Sequence, residues 1–143
     1  MTIATILAGK GHAVTTTQDD ARVADVVRLL AEKRIGAVPV LGKDGQVRGV
    51  LSERDILYRL ASDGAAMLER RAEEVMTAPA ITVPSDLRIL VALSLMTRRR
   101  VRHLPVVDAG QLVGLVSIGD LVKARIDRVE AEAEAMRDYI RQA

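Results

Sequence analysis

A chain of 143 residues, 49% of them hydrophobic, suits one domain or two small interlocked ones, and no run is long enough to span a bilayer. Its 21 Lys and Arg against 19 Asp and Glu leave a net charge of only +2, so the composition is not that of a strongly basic protein. Cysteine is absent, which excludes disulfides and cysteine metal sites, and with two Tyr and no Phe or Trp the core must be aliphatic and a base-stacking platform is not expected.

Residues 2–9 are expected to form a short helix ended by Gly9-Lys10-Gly11; this opening is too short and lacks the basic start of a signal peptide, which favours a cytoplasmic location. Residues 14–16 spell a brief β-branched strand. Asp19 or Asp20 is placed to cap a helix reaching about Lys33, where Val23, Val26, Val27, Leu29 and Leu30 form an apolar stripe. Ile35 to Leu41 lacks polar alternation and predicts a buried strand. After the turn Gly42-Lys43-Asp44-Gly45, Val47 to Leu51 returns antiparallel. A helix from Ser52 carries Ile56, Leu57 and Leu60 and should stop at Ser62-Asp63-Gly64. Residues 65–78 hold Met67, Leu68, Val75 and Met76, which predict packed helical turns rather than a loose linker. Then the pattern replays: strand 80–83, helix Asp86 to about Arg99, and a hairpin of 103–107 with 112–116 across Asp108-Ala109-Gly110.

The replay is a duplication. At an offset of 66, Thr16, Asp20, Arg22, Leu29, Arg34, Pro39 and Val40 recur as Thr82, Asp86, Arg88, Leu95, Arg100, Pro105 and Val106. One deletion in a turn then sets the offset to 65, and Gly45, Gln46, Gly49, Ser52 and Asp55 recur as Gly110, Gln111, Gly114, Ser117 and Asp120. Two copies imply an intramolecular pseudo-dimer. A single repeat of about 60 residues would bury too little surface to be robust, so the pair should fold as one unit.

Each repeat holds one Gly-h-h-Ser-x-x-Asp junction, where h is apolar and a strand runs into a helix. Ser-x-x-Asp before an apolar run is a capping box in its plainest reading. The same junction could grip a nucleotide, with backbone N–H groups for phosphate and a carboxylate for two ribose hydroxyls. The duplication favours the grip, and one residue can serve both roles.

These junctions, the opening Thr16 and Thr82 segments, the strands Ala37-Val38-Pro39-Val40 and His103-Leu104-Pro105-Val106, and Val75-Met76-Thr77 before the second repeat resemble the cystathionine-β-synthase (CBS) domain family, as a tandem pair or Bateman module. The resemblance runs from about Val14 to about Lys123. It implies an α/β (α+β) fold of two β-α-β-β-α repeats packed as a pseudo-twofold pair, to which this chain adds a long C-terminal helix. The expected parts are an N-terminal segment 1–13, repeat 14–64, link 65–79, repeat 80–123 and helical extension 124–143. In such pairs a cleft takes Ser-x-x-Asp from one repeat and the opening strand from the other. Carried onto this chain, the first site joins Ser52, Arg54 and Asp55 to Ile81, Thr82, Arg102 and His103. The second joins Ser117 and Asp120 to Thr15, Thr16, Gly36 and Ala37. On this assignment the first cleft is cationic and the second nearly uncharged.

Other features carry two readings. Arg98-Arg99-Arg100-Val101-Arg102 suits the end of a helix dipole, and Arg102 and His103 also enter the cleft strand. From Ser117 to about Arg141, Val122, Ile126, Val129, Ala133, Met136 and Ile140 form a seam of period 3.5, either packed on its own domain or, slightly favoured, paired with a second chain. Glu130, Glu132 and Glu134 beside Arg125, Arg128 and Arg137 predict a solvated face. His12 has no evident partner and is expected at the surface. Two histidines without cysteine give no metal site, no P-loop occurs, and no catalytic triad can be argued.

The resemblance therefore implies a non-enzymatic, stand-alone regulatory module, a homodimer that binds an adenine nucleotide: AMP, ADP, ATP, NAD(H) or S-adenosylmethionine. Asp55 and Asp120 would hold ribose, and Arg54, Arg102 and His103 phosphate. A regulated protein partner is expected; a membrane is not. The alternatives are a dimerisation module with empty clefts and a nucleic-acid binder using Arg98–Arg102.

Overall fold

Apolar side chains at helical and strand spacing build two small cores, one per repeat, and a computed structural model describes all residues from Met1 to Ala143. In the first repeat, β1 (Thr17–Gln18) runs parallel to β2 (Ala37–Leu41), which pairs antiparallel with β3 (Val47–Ser52). The helices α2 (Val23–Lys33) and α3 (Glu53–Asp63) complete the β-α-β-β-α unit. In the second repeat, β4 (His103–Asp108) and β5 (Gln111–Ser117) form the hairpin, preceded by α5 (Ile89–Arg99) and followed by α6 (Ile118–Gln142). The two hairpins share one register: Ala37 faces Ser52 as His103 faces Ser117, and Val40 faces Gly49 as Val106 faces Gly114. Both then slip by a bulge at the next residue. The offset change lies in the turns, since Asp108 pairs with Gln111 and leaves only Ala109 and Gly110, both at positive φ, in a tight loop.

Several expected boundaries move. Residues 14–16 join no ladder, and the first one begins at Thr17. Residues 80–83 contribute only one bridge, Val83 parallel to Val106. Asp19 and Asp20 do not cap α2, and Asp86 does not cap α5; the cap positions are Arg22 and Arg88, without side-chain bonds. Asp19 is instead buried, and its carboxylate takes Arg48 Nη1 at 2.7 Å. Arg48 also reaches Glu73 at 3.2 Å, tying β1, β3 and the helical turn α4 (Ala72–Val75) together.

The segments outside the repeats fill the cores. The 3₁₀ turn Gly64–Glu69 and α4 bury Met67, Ala72 and Val75 in the first core, as the apolar link predicts. The N-terminal helix α1 (Ile3–Lys10) packs on the second repeat and buries Ile3 and Leu7 fully in its core. Burial of one such side chain stabilises by roughly 1.5–3 kcal/mol. Each motif glycine accommodates the incoming segment. A Cβ on Gly114 would lie 2.6 Å from Leu7 Cδ2, and one on Gly49 would lie 2.7 Å from Met76 Sδ and the Thr77 carbonyl oxygen. The motif glycines thus serve packing of the neighbouring segment.

Helix α6 buries only Leu121. The seam residues Val122, Ile126, Val129, Met136 and Ile140 all face solvent, so the seam does not pack on its own domain. Its charged face is laced by Lys123–Asp127, Arg128–Glu132 and Glu134–Arg137 pairs at 2.8–2.9 Å, the solvated surface expected there.

Candidate functional site

Both strand-to-helix junctions close as capping boxes. Ser52 Oγ accepts the Asp55 N–H at 3.3 Å, while Asp55 Oδ2 accepts the Ser52 N–H at 2.9 Å. Ser117 and Asp120 repeat this at 3.1 and 2.9 Å. The first helical N–H at each junction is also engaged: Glu53 donates to the Gly36 carbonyl and Ile118 to the Arg102 carbonyl, both at 2.9 Å. Each junction is therefore stitched to the start of its neighbouring strand, and that strand start forms part of a cavity wall.

The first cavity, about 220 Å³, lies between the repeats. Ser52, Arg54 and Asp55 reach it from one repeat, and Ile81, Arg102 and His103 from the other. Thr82 does not line it. The wall takes Pro79, Ala80 and Ile81 in succession and ends there, and Thr82 is exposed. The sequence reading missed Tyr58, Thr77 and Arg100, which also line the cavity, together with the acid Glu53. Tyr58 lies one turn beyond Asp55 on α3 and could have been found from helical spacing. Thr77 Oγ1 donates to Asp55 Oδ1 at 2.8 Å, a contact across 22 residues with no local signature. The basic run is split: Arg100 and Arg102 turn to the cavity, while Arg98 and Arg99 end α5 at the surface.

The second cavity, about 340 Å³, brings Thr15, Gly36, Ala37 and Ser117 together. Thr16 is left off its wall, which takes Ala13, Val14 and Thr15 in succession and ends there. It is not nearly uncharged, because Lys10 and Arg34 line it. Lys10 comes from α1, which sequence alone places in no repeat. Its ammonium donates to Asp120 Oδ2 at 2.6 Å and to the Leu115 carbonyl at 2.8 Å. Asp120 itself is not on the wall and is reached through Lys10. Burial pushes the Asp120 carboxyl up, but the bonds from Lys10 and Ser117 outweigh it and hold the group below the ordinary carboxylate range. Two residues on, His12 is exposed but not without a partner: its Nδ1–H donates to the Val113 carbonyl at 2.9 Å.

Arg34 and Arg100 are equivalent under the duplication. Both end their helices in the left-handed conformation, at φ 54°, and each lines one cavity. Gly36 and His103 line both cavities and so form the wall between them. A Cβ on Gly36 would come within 3.3 Å of Glu53 Oε1 and 3.4 Å of His103 Cε1. Burial lowers the His103 pKa; Glu53 and Asp120 oppose this, and Lys10 and Arg102 reinforce it. At neutral pH His103 is an uncharged imidazole that can exchange hydrogen bonds but supplies no countercharge.

The chain is similar to known proteins over most of its length. The CBS domain family profile matches residues 12–62 and 72–127. The CBS domain-containing protein CBSX3, mitochondrial, of Arabidopsis thaliana is 31% identical across 97% of this chain and 71% of its own. The crystal structure of the CBS-domain containing protein ATU1752 from Agrobacterium tumefaciens superposes with a TM-score of 0.84 at 35% identity, covering 87% of this chain and 92% of that one. The CBS domain pair of protein MJ0100, solved with 5′-methylthioadenosine and S-adenosyl-L-methionine, superposes with a TM-score of 0.79 over 90% of this chain and 98% of that one; at 22% identity it shows the fold alone. With its profile matched twice and its two hairpins in one register, the chain belongs to the CBS domain family as a tandem CBS pair.

Proposed function

We propose that this CBS pair is a regulatory module whose two inter-repeat cavities bind an adenosine-carrying ligand, an adenine nucleotide in the first cavity above all. The observation that carries the reading is the composition of the first wall. A carboxylate for ribose hydroxyls, Asp55, shares one cavity with apolar Ile81 and Val101 for a base and with Arg54, Arg100 and Arg102 for phosphate. Guanidinium groups hold phosphate oxygens by paired charge-assisted bonds. The pair of MJ0100, of the same fold, holds adenosine-carrying ligands, which supports the class of ligand and not its identity. Occupancy would set the angle between repeats, and a protein partner would read it.

The module acts as a homodimer through α6, on this reading. Its seam is apolar, exposed and without a partner in the chain, and Tyr139 adds a further exposed ring at 72% of its accessible surface. Mass spectrometry of small molecules released by denaturing the freshly purified protein tests the ligand class. An adenine nucleotide or related adenosine compound in stoichiometric amount is expected. A stoichiometric ligand lacking adenine would overturn the proposal.

A further inference from the structure

The two cavities are related by the duplication, yet their aspartates are held differently. At the first, the edge of β3 is closed by backbone: Val50 and Thr77 exchange N–H···O bonds of 3.0 and 2.9 Å. Thr77 then turns its hydroxyl onto Asp55. At the second, the matching edge of β5 is closed by side chains. Lys10 caps the Leu115 carbonyl and His12 the Val113 carbonyl, two acceptors on one edge of the strand. Lys10 then turns the same ammonium onto Asp120. Thr77 and Lys10 thus occupy corresponding places, each joining a strand edge to the aspartate of its cavity.

The two donors differ in chemistry. Threonine is neutral and its hydroxyl is fixed by a paired backbone. Lysine is a cation on a flexible four-carbon stem, with three donors to distribute. The Lys10 side chain is 41% exposed and that of Asp120 26%, so the pair can open into the cavity without disturbing the core. Leu7, fully buried one turn earlier, keeps α1 seated when Lys10 swings.

We propose that Lys10 determines the specificity of the second cavity, selecting phosphorylated nucleosides over neutral ones by exchanging Asp120 for the ligand's phosphate. The inference rests on the reading that this cavity binds nucleosides. A neutral nucleoside competes with Lys10 for Asp120 and gives the displaced ammonium nothing in return. A nucleotide brings its own anion, to which Lys10 transfers, and the released carboxylate accepts the ribose hydroxyls. Arg34, on the same wall, adds a second cation for that phosphate.

The test isolates the second cavity with Asp55→Ala and titrates AMP and adenosine calorimetrically into that protein and into the same protein carrying Lys10→Met. Melting curves establish that both fold. Adenosine should bind about threefold more tightly to the Lys10→Met protein, the factor a partly exposed ion pair is worth, and AMP about threefold more weakly, so that their ratio shifts about tenfold. Lys10→Arg should keep the preference for AMP. An equal gain for both ligands would make Lys10 a mere obstruction, and an equal loss or no change would make it a structural tie; each overturns the proposal. If neither ligand binds before Lys10 is altered, the nucleoside reading of this cavity fails, a result distinct from the others.

Discussion

Replacing Asp55 with asparagine separates its work as a helix cap from its proposed work on ribose. Its carboxylate accepts three bonds, from the Ser52 N–H, the Ser52 hydroxyl and the Thr77 hydroxyl, at 2.9, 3.0 and 2.8 Å. Asparagine keeps one acceptor oxygen, enough for the Ser52 N–H, and its amide can donate to Thr77 once that hydroxyl rotates. The cap therefore weakens without being lost, and the cost should stay at or below about 1 kcal/mol. For a chain of this size that lowers the melting midpoint by roughly 2–5 °C. A ribose diol has two donors and loses more. Removing a bond to a charged acceptor costs about 1.5–3 kcal/mol, roughly 10- to 150-fold in affinity. Calorimetric titration with AMP beside a melting curve reads both quantities. A lowered midpoint with unchanged affinity would refute the ribose role and leave only the cap.

Further outcomes follow from other contacts. Arg102→Ala, in an Asp120→Ala background, should weaken AMP more than adenosine at the first cavity, and added salt should reduce that difference; equal losses would remove Arg102 from the phosphate end. Truncation after Lys123 should lower the oligomer's mass in light scattering, whereas an unchanged mass would free the α6 seam from any role in assembly. Gly114→Ala should cost about 1–3 kcal/mol through overpacking against Leu7. Combined with Leu7→Ala it should cost clearly less than the sum in a denaturant-melt cycle, and additivity would contradict the contact. For His103, both folded and unfolded chains are neutral well above pH 6.5, so the group contributes no slope there. Below about pH 6.5 the unfolded chain takes up a proton that the native state resists, so stability should fall as pH falls. His103→Gln should flatten the stability–pH curve measured between pH 7.5 and 5, and an identical slope in both proteins would contradict the burial of His103.

The hairpins and both Ser-x-x-Asp junctions were legible because their signals are local and occur twice. Turn glycines, proline-containing apolar runs and a four-residue Ser-x-x-Asp cap survive in any single copy, and the duplication removes the remaining ambiguity. The cross-repeat meeting of Ser52 and Asp55 with Ile81, Arg102 and His103 came from family resemblance and not from spacing. What could not be read is long-range. Lys10 meets Asp120 across 110 residues, and no feature of residues 1–13 says that they pack on the second repeat. The charge of the second cavity was misjudged in part for this reason, and in part because Arg34, two residues before the assigned Gly36, was overlooked. Thr16 and Thr82 were taken into the walls along with Thr15 and Ile81, but each wall ends one residue earlier, a boundary that no local pattern marks. The cap assignment failed at Asp19 because its buried carboxylate is engaged by the exposed Arg48 guanidinium at 2.7 Å, a charge-assisted bond made across 29 residues.

The central claim is that the two inter-repeat cavities bind adenosine-carrying ligands through Asp55 and Asp120. It is tested most directly by equilibrium titration of the ligand-free protein with AMP, ATP, NAD and S-adenosylmethionine, alongside an Asp55→Ala, Asp120→Ala double variant shown by its melting curve to be folded. Saturable binding of at least one of these by the parent, with no more than two sites per chain and loss in the double variant, is predicted. Failure of all four to saturate the parent, or equal binding by the double variant, would contradict it.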